Sequence, residues 1–118
     1  MKTTELNGAA LDWAVAKCEL LNGANYTLAV DTDIDGTLRI NFGGMYPEWS
    51  TDSAESGAII ERERISLLDQ GGDCWLAICG WKEVFGDTQL IAAMRCYVAN
   101  KLGDEVQIPE ALIDENAN

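Results

Sequence analysis

The feature that most constrains this chain is its hydrophobic period, which runs helical, then alternating, then helical again. Asn7 followed by Gly-Ala-Ala-Leu-Asp-Trp-Ala-Val-Ala-Lys-Cys-Glu-Leu-Leu reads as an N-cap and a helix to Leu21, stopped by Asn22 and Gly23. Ala10, Trp13, Ala14, Lys17, Cys18 and Leu21 share one stripe of it, with Trp13 supplying bulk and Lys17 snorkelling at the edge. Near the other end, Leu90, Ile91, Met94, Tyr97, Val98 and Leu102 recur at helical spacing over 88–102, and Gly103 is the stop. Met94 is placed at the centre of the buried face.

Between these helices the period is two. Leu28 and Val30, then Leu38, Ile40 and Phe42, alternate with polar residues across an Asp33-Ile-Asp-Gly36 corner, the pattern of a hairpin. A two-residue loop would set Val30 opposite Asn41 and mismatch the apolar faces. A three-residue loop over 34–36, with Gly36 left-handed, sets Val30 opposite Ile40 and Leu28 opposite Phe42, and is the register expected. Residues 43–57 lack any period and read as a long loop; such loops in compact domains are functional or disordered, and Tyr46 and Trp49 argue for the former. Residues 58–68 are ambiguous between a short helix and a strand, with strand favoured for the second half, and 74–79 is its partner. Pro109 can open a short final turn. The expected fold is α+β: a single domain, 1–118, with two main helices packed on an antiparallel sheet of about four strands.

Composition supports a packed core, since 47% of the 118 residues are hydrophobic and 24% charged. A chain of this size buries about two-thirds of its unfolded surface. Twenty acidic side chains against eight basic ones give a net charge of -12, shared evenly: nine acids and three bases in 1–59, eleven and five in 60–118. No basic patch grips duplex nucleic acid or an anionic membrane. The tail 104–118 holds five acids and no base and reads as an acidic, partly frayed end. The absence of histidine removes the commonest general base and zinc ligand, so hydrolases of the usual kinds are not expected. With no signal peptide core and no long apolar run, the expected compartment is the cytoplasm, where Cys18, Cys74, Cys79 and Cys96 read as reduced thiols. Cys74 and Cys79, five apart on a strand, point to opposite faces and cannot share a zinc ion. Asp31, Asp33, Asp35 and Gly36 match the first half of a calcium loop. The second half fails, because Phe42 stands where the bidentate glutamate belongs. Neither a metal nor a cofactor is expected.

Three blocks carry a resemblance: Glu5-Leu-Asn-Gly-Ala-Ala-Leu-Asp-Trp-Ala-Val-Ala-Lys-Cys18, Ile59-Ile-Glu-Arg-Glu-Arg-Ile-Ser-Leu67, and Leu90-Ile-Ala-Ala-Met-Arg-Cys-Tyr-Val-Ala-Asn-Lys-Leu-Gly-Asp-Glu-Val106. Together they cover about a third of the chain, and they resemble the NinX-like family of tailed phages and prophages. The resemblance implies a phage accessory protein working in the cytoplasm of the bacterial host, and it brings no assigned chemistry.

Binding residues are sought among the arginines and loop aromatics. Arg95 shares a helical stripe with Thr88, Ala92 and Ala99, so its guanidinium should be partly buried and need an anion: Glu61 or Glu63, or a bound ligand. Arg62 and Arg64 are the other candidates. Trp13 and Trp75 lie in periodic segments and are expected in the core. Trp49 and Trp81, with Tyr46, lie in or beside loops, where an aromatic either pins the loop or stacks a base while arginines hold phosphate. No phosphate loop, nucleophile elbow or metal triad is present. The reading that follows is a non-catalytic binder that sequesters a small anionic, nucleotide-type ligand such as a host immune messenger. Its expected site is a cleft between 43–57 and the Arg95 face of the last helix, using Arg95, Arg62, Arg64, Trp49, Tyr46 and Trp81. The alternative is an acidic inhibitor or decoy for a host protein, and a carboxylate enzyme is third. A homo-oligomer is compatible with all three.

Overall fold

A computed structural model of the chain describes residues 1–117, with side-chain surroundings as far as Ile113. A short 3-10 turn at Thr3–Glu5 leads into α1 (Gly8–Leu21), then a hairpin of β1 (Leu28–Thr32) and β2 (Leu38–Phe42). A helix, α2 (Ser53–Arg62), precedes a three-stranded meander, β3 (Ser66–Asp69), β4 (Trp75–Cys79) and β5 (Lys82–Gly86). The chain continues through α3 (Gln89–Leu102) and α4 (Glu110–Ala117). The α+β class is as expected. The strands number five and form two separate antiparallel sheets, β1-β2 and β3-β4-β5.

The middle of the fold is α3. Thr88 caps it, its Oγ1 accepting from Ile91 N–H at 3.1 Å, and Gly103 at φ 91° ends it. Ala92, Ala93, Met94, Cys96, Tyr97, Val98 and Ala99 are buried, while Leu90 and Ile91 sit half-buried at the rim. The run of small residues lets the helix lie close on β4 and β5 and still reach α1. At the closest point Gly86 leaves no space, for a Cβ there would stand 2.5 Å from the backbone nitrogen of Ala92.

In α1 the buried band is wider than the expected stripe: Leu11, Val15 and Ala16 are fully buried and Asp12 nearly so, whereas Leu21 is exposed and Trp13 half-buried. The helix is clasped by α3, β2 and α4, so it buries more than one stripe. The hairpin register is the expected one, Val30 opposite Ile40 and Leu28 opposite Phe42. Asp33 N–H donates to Thr37 O at 2.7 Å, closing a three-residue loop in which Gly36 has φ 88°. Each aspartate of the corner is engaged by the hairpin itself. Ile34 N–H donates to Asp33, Thr37 N–H to Asp35, and Asn41 and Tyr46 both donate to Asp31.

Three expectations are corrected. The loop does not run over 43–57, because Asp52 accepts from Ala54 and Glu55 N–H and opens α2, leaving 43–52 as the loop. Strand β5 was missed because its inward positions hold Val84 and Gly86 while Phe85 faces outward, which hides the alternation. The segment after Gly103 is held rather than frayed as far as Leu112. The Met1 ammonium donates to Val106 O at 2.9 Å, Thr3 N–H to Asp104 O at 2.9 Å, and Val106, Ile108 and Leu112 are buried. Asn118, the last residue of the expected frayed end, lies outside the described residues. Trp75 is half-buried against the core, and the four cysteines are unpaired, with Cys18, Cys79 and Cys96 buried as small apolar groups. Burial pushes the thiols of Cys18 and Cys96 up to about 12.

Two substitutions test this packing. Gly86→Ala should cost about 1–3 kcal/mol through forced separation of β5 from α3. Met94→Ala, at a fully buried site, should cost about 2–5 kcal/mol through a cavity. Urea unfolding measures both, and values near zero would contradict the close packing described.

Candidate functional site

A cleft lies where loop 43–52 leaves β2 and runs toward α2. It measures about 660 Å³ and is walled by Tyr26, Phe42, Met45, Tyr46, Pro47 and Trp49, with Glu19, Asn22, Ala24, Glu55 and Arg62 completing it. The loop turns at once because Met45 N–H donates to Phe42 O and Phe42 N–H to Met45 O. Gly43, at φ 64°, lies against the Tyr26 ring, where a Cβ would stand 2.4 Å from Cδ1. Tyr26 therefore packs edge-on against Phe42 (centroids 5.1 Å apart), and Trp49 also packs edge-on against Phe42 (5.8 Å). Trp49 is only 7% exposed, so it pins the loop to the core and also forms cleft wall. Tyr46 holds the outer rim, its hydroxyl donating to Asp31 at 2.8 Å and its ring lying 4.1 Å from the Arg39 guanidinium carbon. The bond to Asp31 raises the pKa of this hydroxyl.

The loop's second anchor is Asp12, buried in the middle of α1. Ser50 N–H donates to its Oδ1 at 2.8 Å and Ser50 Oγ–H to Oδ2 at 3.2 Å. Burial pushes this carboxyl from 3.8 up to about 7, with Ser50 opposing and Glu48 and Glu55 adding to the rise.

At the opposite wall Arg62 gives its Nε–H to Glu63 at 2.8 Å and Nη2–H to Glu19 at 2.9 Å and to the Tyr97 hydroxyl at 2.9 Å. Tyr97 in turn donates to Glu19, and Lys101 pairs with Glu63 at 3.3 Å. Burial works against the Arg62 charge, but these bonds outweigh it and hold its pKa above the ordinary value; the same network keeps Glu63 below its own despite burial. Two carboxylates and one guanidinium line the cleft, so its formal charge is -1.

Three of the six expected site residues, Arg62, Trp49 and Tyr46, meet in this cleft. Arg95 does not. Its Nε–H donates to Leu6 O at 2.6 Å and Nη1–H to Phe85 O at 3.0 Å, so its partners are backbone carbonyls rather than Glu61 or Glu63, and it lines a separate depression with Asp73, Glu83 and Asp87. Burial lowers its pKa. Arg64 is exposed at φ 55° beyond α2, and Trp81 is 99% exposed in the β4–β5 turn; neither lines the cleft. Tyr26, Phe42, Asn22 and Asp12 were missed. A signal existed for Asp12, a carboxylate within an otherwise apolar helical run, and for α2, where Glu55 stands three residues after the Asp52 cap. Among the described residues no group of three or more His, Cys, Asp or Glu is placed to hold a metal ion, and no helix is long and apolar enough to cross a membrane.

The family model described as bacteriophage P22 NinX matches residues 2–101. The chain belongs to the NinX family. The match takes in both cleft walls, from Glu19 and Tyr26 through loop 43–52 to Arg62. A search of curated proteins finds no match.

The Asp12 anchor has a measurable sign. Because its folded pKa is raised, the native state keeps a proton that the unfolded chain releases above about pH 4. Its contribution to stability is complete below that pH and is lost as pH rises through about 7. Asp12→Asn keeps an acceptor for Ser50 N–H and cannot ionise. The variant should match the parent near pH 4 and exceed it at pH 8, by at most about 4 kcal/mol at 1.4 kcal/mol per pH unit. Urea titrations at the two pH values read the difference. Equal stability at both would place a charged carboxylate comfortably at this site.

Proposed function

We propose that this phage protein is a non-catalytic binding protein that sequesters a nucleotide-type small molecule in the aromatic cleft. One observation carries the reading: Tyr46, Trp49 and Arg62, from two separate segments, converge with Tyr26 and Phe42 on a single concave surface large enough for a drug-sized ligand. Aromatic walls favour a planar base by stacking, and Asn22, Glu19 and Glu55 offer hydrogen-bond partners for its edge. Arg62 is the cation available for a phosphate, and it must loosen Glu19 or Glu63 to take one. Since the lining is already net negative, one phosphate is favoured over three. The cleft's acids act as acceptors here: Glu19 is bound to Arg62 and Tyr97, and Glu55 accepts from Glu48 N–H. Sequestering a host signalling nucleotide in the bacterial cytoplasm is the role this chemistry suits.

A thermal-shift panel of nucleosides, mononucleotides, cyclic nucleotides, ADP-ribose compounds and triphosphates tests the proposal. A ligand at 100 times its Kd should add about 2.7 kcal/mol, raising Tm by several degrees. Monophosphates should outperform triphosphates of the same base, the compound should be recovered unchanged, and Tyr46→Ala or Arg62→Gln should weaken binding at least tenfold. A panel without any shift contradicts the reading.

A further inference from the structure

The registers of β3, β4 and β5 fix which side chains share each face. Leu67, Ala77 and Val84 lie in one row and face α3, with Ala77 and Val84 buried. The neighbouring rows face the other way: Leu68 beside Leu76 beside Phe85, and Ser66 beside Ile78 beside Glu83. Leu68 is 47% exposed and Phe85 55%, Leu76 and Ile78 are half-buried, and Trp81 stands fully exposed in the turn that joins β4 to β5. The solvent face of an antiparallel sheet is ordinarily polar, so an unbroken apolar row across three strands is a surface that water does not favour.

Charge selects the occupant. Glu83 shares the open face and Asp73 and Asp87 flank it in the adjoining turns, all exposed, while Asp69 pairs with Trp75 in the row that faces α3. The nearby cations are already engaged, Lys82 by Asp104 at 3.1 Å and Arg95 by the carbonyls of Leu6 and Phe85. A second copy of the chain would bring the same acids against these and oppose one net charge of -12 with another. We propose that the open face of β3–β5 docks a protein partner whose contact surface has apolar side chains at its centre and lysines or arginines around them. Burial of the Leu68, Leu76 and Phe85 row supplies the attraction, and the acidic surround supplies orientation and excludes acidic surfaces. The surface lies on a different sheet from the aromatic cleft and shares no residue with its lining.

Site-specific photocrosslinking in bacterial cells tests this. The full chain carries p-benzoylphenylalanine in place of Phe85 or, as a control on the fully exposed hairpin corner, in place of Ile34. The expected result is a discrete product from position 85 and not from 34, joined to a peptide that combines apolar residues with lysine or arginine. A synthetic copy of that peptide should bind the purified chain, at least tenfold more weakly at 0.5 M salt than at 0.05 M. Leu68→Glu and, separately, Phe85→Ser should each lower its affinity at least tenfold while leaving Tm within a few degrees of the parent. Absence of a product, a product formed only with a second copy, identical products from both positions, or an acidic or salt-insensitive peptide would each overturn the proposal.

Discussion

The close approach of α3 to the β3–β5 sheet governs the rest of the molecule. Its face of alanines and a cysteine lets the helix axis sit near the strands, and Gly86 permits the last strand to come nearest. With one face so close to the sheet, Tyr97 and Val98 remain buried on the same helix and α1 packs over it. The small residues cost little side-chain entropy on burial, while Met94 and Tyr97 supply the volume they lack. The N-terminal segment and the stretch after Gly103 then close over the ends through Met1, Thr3 and Val106.

The hairpin is joined to this body by a different device. Its sheet has two strands, which alone are marginal in water, so it relies on α1 beneath β2 and on the loop that follows. Trp49 inserts beside Phe42, and the Asp12 carboxyl receives both polar hydrogens of Ser50. An apolar anchor and a buried polar one thus fix adjacent residues of the same loop. The cleft lies between this anchored loop, with Met45, Tyr46 and Pro47 on its wall, and the last turns of α1 and α2, which bring Glu19 and Arg62 opposite. Its single arginine is already paired with Glu19 and Glu63, and Glu55 accepts from Glu48 N–H, so in the reading proposed above the aromatic wall is the larger contribution to binding and the charges a filter on what binds.

Much of this was legible from residue spacing. The two long helices, the hairpin and its register follow from periodicity and from one glycine, because a slip of one residue would have turned Val30 and Leu28 away from Ile40 and Phe42. Of α2 only the end was read, as a short helix at 59–64 weighed against a strand; its first half, Ser-Ala-Glu-Ser-Gly-Ala, has no apolar stripe, and only Asp52 with Glu55 three residues on marks its start. At the site, Tyr46 and Trp49 stood out as large aromatics in a small and polar loop, and Arg62 as one of only four arginines. Spacing misplaced Arg95, because a half-buried guanidinium can be satisfied by backbone carbonyls as well as by carboxylates, and which of them lies nearby depends on how the 3-10 turn and β5 pack. Tyr26 was hidden for a related reason: its neighbour Gly43 is distant in sequence and is brought under the ring by the hairpin.

On the function proposed here, the aromatic cleft that Trp49 helps to wall is where this NinX-family chain takes its ligand. The four tryptophan indole N–H signals, Trp13, Trp49, Trp75 and Trp81, place a reporter in the cleft, two in the body of the fold and one on the β4–β5 turn. A nitrogen-15 correlation spectrum recorded during titration with adenosine and guanosine monophosphates reads them separately. Movement of the Trp49 signal together with the amides of residues 42–49, while Trp81 stays in place, is the predicted result. Saturating nucleotide that leaves Trp49 unmoved, or shifts Trp81 alone, would contradict the account.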